Sequence, residues 1–224
     1  MYLKKCIFFM LLTMVSLQCK VVQKISNKGI EGNGVPAVEY RELPSFKEIK
    51  IELDFDKISI YSGRKQSLEI KGDENLLPYI HTRVQRGLLT LTSDSSLDTK
   101  AESEIIIHVK KLKNFAFDGV GETVLYDVSG KKFQCELNGV GSCEIFGEVD
   151  AFHLSVNGVG AIDAKALFAD KVTASLNGVG SAEIYAKHSL TATINGIGGL
   201  TYFGNPEELI IHDNGLGGVS KGNR

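Results

Sequence analysis

One tetrapeptide recurs six times in the second half of the chain, and no other feature of the sequence constrains the fold as strongly. Each copy reads Asn or Asp, then Gly, an aliphatic residue and Gly, and successive copies begin 18 to 20 residues apart. The copies begin at Asp118, Asn138, Asn157, Asn177, Asn195 and Asn214. Such a regular period indicates a supersecondary unit that is stable only when it is stacked on its neighbours.

Alignment on the first residue of each tetrapeptide places apolar residues in five columns. The columns lie five, three and one positions before the Asn and two and seven positions after it, and the positions between them are mostly polar. Each repeat therefore contains two or three short strands with one apolar face, which a single repeat cannot bury by itself. We predict an all-β fold, a single-stranded parallel β-solenoid of about 19 residues per coil with rungs about 4.8 Å apart. The crossover rule favours right-handed winding, and left-handed winding is the alternative.

The tetrapeptide itself is predicted to form a sharp corner between strands. Its two glycines permit positive φ angles, and its Asn can bond to the Asn of the next rung in an amide ladder. A Gly-rich loop that binds an ion or a phosphate is the alternative, but no helix is indicated after any copy and no Gly-Lys-Ser/Thr sequence occurs. The predicted corner residues of the four central copies are Asn138, Gly139, Gly141, Asn157, Gly158, Gly160, Asn177, Gly178, Gly180, Asn195, Gly196 and Gly198.

Residues 45–115 are predicted to form an N-terminal β module that covers one end of the repeat array at 116–224. Apolar and polar residues alternate in this module, for example at Ile49, Ile51 and Leu53. At the other end of the array, Asp213 takes an inward position in the last repeat. A charge at that position blunts the exposed edge against further strand pairing.

Residues 1–19 have the pattern of an export signal. Two lysines precede an apolar run at 7–17 that is too short to span a bilayer, and Cys19 resembles the lipidated cysteine in the lipobox of bacterial lipoproteins. We predict a lipid anchor at Cys19 that attaches the protein to a membrane, followed by a linker over 20–44. Gln18 stands where a small residue usually precedes this cysteine, so an ordinary signal peptide without lipidation is the alternative. The predicted location is the outer membrane or the cell surface, with the periplasm or secretion as the alternative.

Charge and cysteine content exclude several classes of protein. The chain has 25 Lys and Arg against 27 Asp and Glu, which excludes a strongly basic nucleic-acid-binding protein, so we predict no nucleic-acid partner. Cys135 and Cys143 fall in apolar columns and are predicted to be small buried residues, with a disulfide as the alternative. No clustered His joins them, so we predict no metal site and no cofactor.

Two outward-facing columns form the candidate binding site, one acidic and one aromatic. Aromatic rings on a flat β face are typical of surfaces that recognise sugars or peptides, so a glycan or a protein of the cell envelope is the predicted partner. The alternative is that the rings fold onto the core and the acids form a solvated face. The acidic ladder comprises Glu144, Asp163 and Glu183, and the aromatic stripe comprises Tyr126, Phe146, Tyr185 and Phe203, with Lys165 within it.

No arrangement of Ser, His and Asp or of Cys and His is visible that would predict nucleophilic catalysis. We therefore predict no catalytic residues and a non-enzymatic binding role. An enzyme that acts on envelope polysaccharide and a purely structural envelope protein are the alternatives.

Segments of the first half, together with the Gly-x-Gly repeats, resemble a known family. The segments are Ile58-Ser-Ile-Tyr61, then Leu68-Glu-Ile-Lys-Gly-Asp-Glu-Asn-Leu-Leu-Pro-Tyr-Ile80, then Gly87-Leu-Leu-Thr-Leu91. They are similar to the head GIN domain of auto-transporter adhesins, over about residues 40 to 220. The resemblance implies an exported bacterial protein of the cell envelope with a solenoid-like β fold and an adhesin-like role, and it supplies no catalytic residues.

Overall fold

A computed structural model describes residues 29–223, and these residues form seventeen strands and one short 3-10 turn. The 3-10 turn spans Leu77–Tyr79. The strands are β1 Ile30–Glu31, β2 Pro36–Arg41, β3 Glu48–Glu52, β4 Lys57–Ser62, β5 Ser67–Asp73, β6 Ile80–Gln85, β7 Leu88–Ser93, β8 Leu97–Asp98, β9 Glu104–Val109, β10 Asn114–Phe117, β11 Val120–Leu137, β12 Val140–Val156, β13 Val159–Leu176, β14 Val179–Ile194, β15 Ile197–Phe203, β16 Glu208–Asp213 and β17 Leu216–Lys221. No helix among these residues is long and apolar enough to cross a membrane.

The repeat array is a parallel β-solenoid of about five turns, as predicted. Val140 pairs in parallel register with Val159, and Val159 pairs with Val179, so equivalent residues of successive coils lie directly above one another. The register continues through Ile197 to Leu216. Each step along the axis therefore takes 18 to 20 residues, the period of the tetrapeptide.

Each long strand bends around the coil, and its register with the next coil shifts soon after the Gly-rich corner. The shift falls between Leu125 and Val128 on β11 and between Glu144 and Phe146 on β12. We call the stretch before this shift the first side (140–145 in one coil), the short stretch after it the second side (147–150) and the stretch that returns to the corner the third side (151–156).

The core consists of inward columns that run along the solenoid axis. The columns five, three and one positions before the Asn are buried, for example at Phe133, Leu154 and Leu176, except in the last described coil, where Leu209 and Ile211 are 42 and 41% exposed. Identical side chains stack within a column, and the rings of Phe133 and Phe152 lie 5.8 Å apart and nearly parallel. Asp213 ends one of these columns, opposite Ile194, at the inward position that the sequence predicts.

One apolar column lies outside the core, contrary to the prediction. The aliphatic residue two positions after the Asn is 45–72% exposed in all six copies. Side chains alternate along a strand with a period of two, so this position points away from the core while its neighbours one and three positions after the Asn point inward. The first side has two buried columns: the predicted one seven positions after the Asn, for example at Ile145 and Ile184, and one five positions after the Asn, at Cys143, Ile162, Ala182 and Leu200.

The N-terminal module extends the solenoid instead of forming a separate sheet. β4 pairs in parallel with the first side of β11, and β10 pairs in parallel with both β3 and β11. The predicted boundary at residues 115 and 116 falls inside β10. Beyond β4 the sheet continues with β9, which pairs with β4 in parallel, and then with β5 and β2 in antiparallel pairs.

Part of the predicted linker is folded. Of residues 20–44, those at 30–31 and 36–41 form β1 and β2, which pair with β8 and β5. The buried carboxylate of Asp73 holds this segment, because it accepts hydrogen bonds from the backbone N–H groups of Gly34, Lys100 and Ala101. The side-chain oxygen Oδ1 of Asn75 accepts a further hydrogen bond from the backbone N–H of Asn33, at 2.9 Å. The Gly-Asp-Glu-Asn-Leu stretch thus connects three loops, and the remainder of the linker, at 20–28, lies outside the described residues.

Candidate functional site

The Gly-rich corners align along one edge of the solenoid and carry the predicted amide ladder. Asn157 Nδ2 donates to Asn138 Oδ1 at 2.8 Å, and Asn177 Nδ2 donates to Asn157 Oδ1 at 2.9 Å. The ladder continues through Asn195 to Asn214, at 2.8 and 3.3 Å. The amides of Asn157, Asn177 and Asn195 therefore each donate to one neighbour and accept from the other, as a structural corner requires.

The two glycines of the corner share one requirement, and the later one has a second. A Cβ atom at Gly139 would lie 2.0 Å from the carbonyl oxygen of Gly119, and a Cβ atom at Gly141 would lie 1.9 Å from that of Gly121, so neither position has room for a side chain. Gly141 in addition has φ +151°, a region that glycine favours, whereas Gly139 does not have a positive φ angle. The prediction of positive φ therefore holds for the fourth residue of the motif in the first five copies, and not for the second residue.

Cys135 and Cys143 are free and buried in the core beneath this corner. The hydrogen bond between the two thiols, together with burial, raises the pKa of Cys143 well above its usual range. Both residues therefore pack as small apolar side chains, which was the favoured prediction.

Part of the predicted aromatic stripe is a stack of rings at the junction of the first and second sides. Tyr126 and Phe146 lie on adjacent coils with ring centroids 5.7 Å apart and planes nearly parallel. Tyr61 of the N-terminal module stacks on Tyr126 at 4.7 Å, and His108 follows at 5.1 Å from Tyr61. Phe146 is 38% exposed. The repeat alignment does not include Tyr61, because β4 precedes the first tetrapeptide.

A bulge interrupts the stack at the next coil. Ala164 pairs with Ile184, but the next pair joins Phe168 to Tyr185, so the three residues 165–167 have no partner in the register between β13 and β14. Phe168 and Tyr185 meet edge to face at 5.0 Å, and Phe168 is 44% exposed. Counting from Asn157 places Lys165 in the stripe. The register instead sets Ala166 opposite Phe146 and Phe168 opposite Tyr185, which the sequence alone does not reveal.

A cleft of about 300 Å³ opens beside this pair of rings, on the second side of the solenoid. Two carboxylates, Glu148 and Asp150, lie on one wall. Asp170 and Lys187 lie on the other, with 3.6 Å between their charged atoms. The cleft thus combines aromatic rings with an excess of hydrogen-bond acceptors.

Phe203 does not belong to this exposed surface. It pairs with Tyr185 on the next coil, but only 9% of it is exposed, and its ring lies against the backbone of Gly222. The last coil folds its chain over this ring. Tyr126, Phe146 and Tyr185 thus remain at the surface, while Phe203 is part of the core.

The acidic ladder lies where the sequence places it and is partly neutralised. Glu144 pairs with Asp163 and Asp163 with Glu183 in register. Lys165 Nζ lies 2.6 Å from a carboxylate oxygen of Asp163 and 2.6 Å from one of Glu183. Hydrogen bonds to these two carboxylates raise the pKa of Lys165 above its usual range. Lys165, which leaves the stripe at the bulge, therefore acts as the counter-ion of the ladder, and within residues 29–223 no three His, Cys, Asp or Glu side chains cluster as metal ligands do.

Stacked coils with a β cap and an exposed row of aromatic side chains define the class of this protein as a β-solenoid with a candidate recognition surface. Residues 45–206 match the family model described as "Putative auto-transporter adhesin, head GIN domain". The chain belongs to this family, whose description names an adhesin and implies an exported bacterial protein.

Solved structures share the fold. The crystal structure of a protein from Bacteroides fragilis, described as a putative adhesin, has a TM-score of 0.72 and 24% identity, and covers 86% of this chain and 100% of its own. A putative adhesin from Parabacteroides merdae has a TM-score of 0.56 and 21% identity, covering 87% of this chain and 99% of its own. A protein from Parabacteroides distasonis described as a putative lipid binding protein has a TM-score of 0.51 and 23% identity, with the same coverages. At these identities the likeness establishes the fold alone, and no curated protein matches the chain.

Proposed function

We propose that this protein is a non-enzymatic, adhesin-like protein of the cell envelope that binds a glycan at the cleft beside Phe168 and Tyr185. The observation that carries this proposal is a pair of rings, the exposed Phe168 and the half-buried Tyr185, next to a cavity lined by carboxylates. The family description of an adhesin agrees with such a role.

The chemistry of the cleft fits a sugar better than an anion. Phe168 offers an apolar ring surface to the C–H face of a pyranose. Glu148 and Asp150 accept hydrogen bonds from hydroxyl groups, and their negative charge repels phosphate or sulfate. A volume of about 300 Å³ is at the lower end for ligand sites, which suits a terminal unit of a glycan.

The acidic ladder has a supporting role in this proposal. Asp163 and Glu183 share Lys165 as their counter-ion, and Lys165 begins the bulge that brings Phe168 beside Tyr185. These carboxylates therefore fix the shape of the bulge, and Tyr126 and Phe146 extend the aromatic surface away from the cleft.

The proposal also includes export of the protein and a lipid anchor at Cys19. The leader pattern and Cys19 lie outside the described residues, and they support a lipid anchor that holds the solenoid at a membrane surface. A lipid-anchored solenoid would present its sides, and with them the cleft, to ligands at the surface.

The test is glycan binding by the full-length protein and by Phe168→Ala. We expect arrays of bacterial envelope and host glycans to retain the protein, and Phe168→Ala to weaken binding at least about tenfold, because the apolar ring surface is lost. Tyr40→Ala is the matched control, since Tyr40 is 72% exposed on β2, outside the cleft. Equal binding by Phe168→Ala, or no retained glycan, would contradict the proposal.

A further inference from the structure

Five exposed lysines lie together where the N-terminal module meets the repeat array. Segment 108–114 carries three of them and segment 128–135 carries two, and neither segment contains Asp or Glu. These segments lie on adjacent coils, because the backbone N–H of Gln134 donates to the carbonyl oxygen of Lys113 at 2.9 Å. We call these five lysines the basic cluster. It comprises Lys110, Lys111, Lys113, Lys131 and Lys132.

A recess of about 340 Å³ opens between the two coils that carry the basic cluster. We call it the basic recess. Four of the five lysines and two neutral amides line it, and no carboxylate does. The cleft beside Phe168, in contrast, is lined by Glu148 and Asp150. The lining residues of the basic recess are Lys111, Lys113, Asn114, Lys131, Lys132 and Gln134.

A glycine on the adjacent coil makes room for the charged end of Lys111. A Cβ atom at Gly130 would lie 2.8 Å from Cε of Lys111 and 2.9 Å from its Nζ. The ammonium group therefore occupies the space that a side chain at position 130 would fill, next to Lys131 in the chain. Lys111 is thus held beside the other coil before any ligand arrives, which lowers the entropic cost of binding.

No lysine of the basic cluster forms an ion pair within residues 29–223. Asp127 precedes the second segment of the cluster, but it pairs with Arg64 at 3.5 Å. Glu48 lies in register with Asn114 and does not line the basic recess. Like charges without counter-ions repel one another, so an anion bound among them would remove this cost. Six lysines elsewhere do form ion pairs with carboxylates: Lys50, Lys57, Lys71, Lys100, Lys165 and Lys187.

The extent and shape of the basic surface fit a chain that carries several sulfate or phosphate groups. Lysine binds such groups as a point charge. The exposed Lys47 continues the surface onto a third coil, because the backbone N–H of Lys113 donates to its carbonyl oxygen at 2.8 Å. Two steps of about 4.8 Å make the surface about 10 Å long, which exceeds a single phosphate group. The recess is concave, so a flexible chain can enter it, whereas the flat surface of a bilayer cannot.

We propose that the basic recess binds an anionic glycan through sulfate or phosphate groups on neighbouring sugar units. This site is distinct from the cleft beside Phe168, and the inference does not depend on the function proposed for that cleft. The carboxylates of that cleft repel the same anionic groups, so the two sites select ligands of opposite character.

Isothermal titration calorimetry of the full-length protein in a mild detergent, with a sulfated heparin octasaccharide as the probe, tests this proposal. We expect a dissociation constant in the micromolar range at about 50 mM NaCl and at least about tenfold weaker binding at about 200 mM, because lysine contacts release counter-ions. The double variant Lys111→Gln/Lys132→Gln should weaken binding at least about tenfold at the lower salt concentration. Lys111→Arg/Lys132→Arg keeps both charges and should bind within about threefold of the unmodified chain.

A matched double variant separates this site from the overall charge of the protein. Lys57→Gln/Lys221→Gln removes the same charge from exposed lysines on β4 and β17, outside the basic recess, and should bind as the unmodified chain does. Phe168→Ala should also leave this binding unchanged, which distinguishes the basic recess from the cleft. Thermal melting shows that each variant is folded.

Three results would overturn the proposal. The first is that the octasaccharide does not bind at the lower salt concentration. The second is an equal loss of affinity in the two Lys→Gln double variants, since the binding would then follow net charge alone. The third is binding to vesicles that contain phosphatidylglycerol without binding to the octasaccharide, which would assign the basic cluster to a membrane surface.

Discussion

Single atoms decide which residues the corner accepts. The second glycine of the motif has a preceding carbonyl oxygen where its Cβ would stand, 2.0 Å away at Gly139 and 1.9 Å away at Gly158. That distance is far below van der Waals contact, so any side chain would force adjacent coils apart.

Gly139→Ala should therefore lower the free energy of unfolding by about 2 kcal/mol or more, the upper range for an overpacked site. Chemical denaturation followed by circular dichroism measures the difference. Gly218→Ala is the matched control, because its Cβ would find its nearest neighbour at 3.9 Å and its φ is not positive. Similar losses in the two variants would show that the close approach of coils is not the cause.

The position of many single residues can be predicted from the sequence, because each position of the repeat occurs several times in the alignment. The alignment predicts the Asn ladder and the buried Cys135 correctly. The apolar character of the column at Val179 predicts burial, but its position in the period of two places it on the outside. The burial of Phe203 could not be predicted, because it depends on how the last coil closes over Tyr185.

Among the structural elements, the N-terminal segment depends on a single carboxylate. Burial opposes the ionisation of Asp73, but the backbone N–H groups of Ala101, Lys100 and Gly34 outweigh it and lower the pKa of this carboxyl. A carboxyl whose pKa is lower in the folded state stabilises that state above its unfolded pKa of about 3.9. The stabilisation is lost as the pH falls through the folded pKa.

Asp73→Asn should thus lower the free energy of unfolding by about 1–3 kcal/mol at pH 7, and the difference from the unmodified chain should shrink below about pH 3. Urea denaturation between pH 2.5 and 7 measures it. Asp98→Asn changes an exposed carboxylate of the nearby strand β8 and should have little effect. If the loss of unfolding free energy in Asp73→Asn did not vary with pH, the ionised carboxylate of Asp73 would not be its cause.

The elements were predictable where the repeat continues and unpredictable where it breaks. Strands β11 to β17 follow from the tetrapeptide. The bulge at 165–167 does not, since nothing in the residues around Lys165 distinguishes an insertion from a regular coil. β2 was predicted as linker because its pairing with β5 depends on Asp73, which lies more than thirty residues away.

At the scale of the whole molecule, the solenoid is an extended body whose proposed anchor lies at one end of the chain. If Cys19 carries the lipid, a fatty-acid analogue supplied to the growing bacterium should label the protein, and Cys19→Ser should abolish the label. Cys6→Ser is the matched control and should keep it, because Cys6 precedes the apolar run. Labelling that survives Cys19→Ser, or labelling of neither form, would leave the ordinary signal peptide as the explanation.

The bulge at 165–167 has a consequence for how such proteins diversify. It adds residues to one coil, of which Lys165 and Ala166 are partly exposed and Leu167 is buried in the core. The register resumes from Lys171 onward, and Val172 pairs with both Phe152 and Leu190. If the cleft binds a ligand as proposed, a change in the length of this junction would alter the ring beside the cleft and leave the third side of each coil in place.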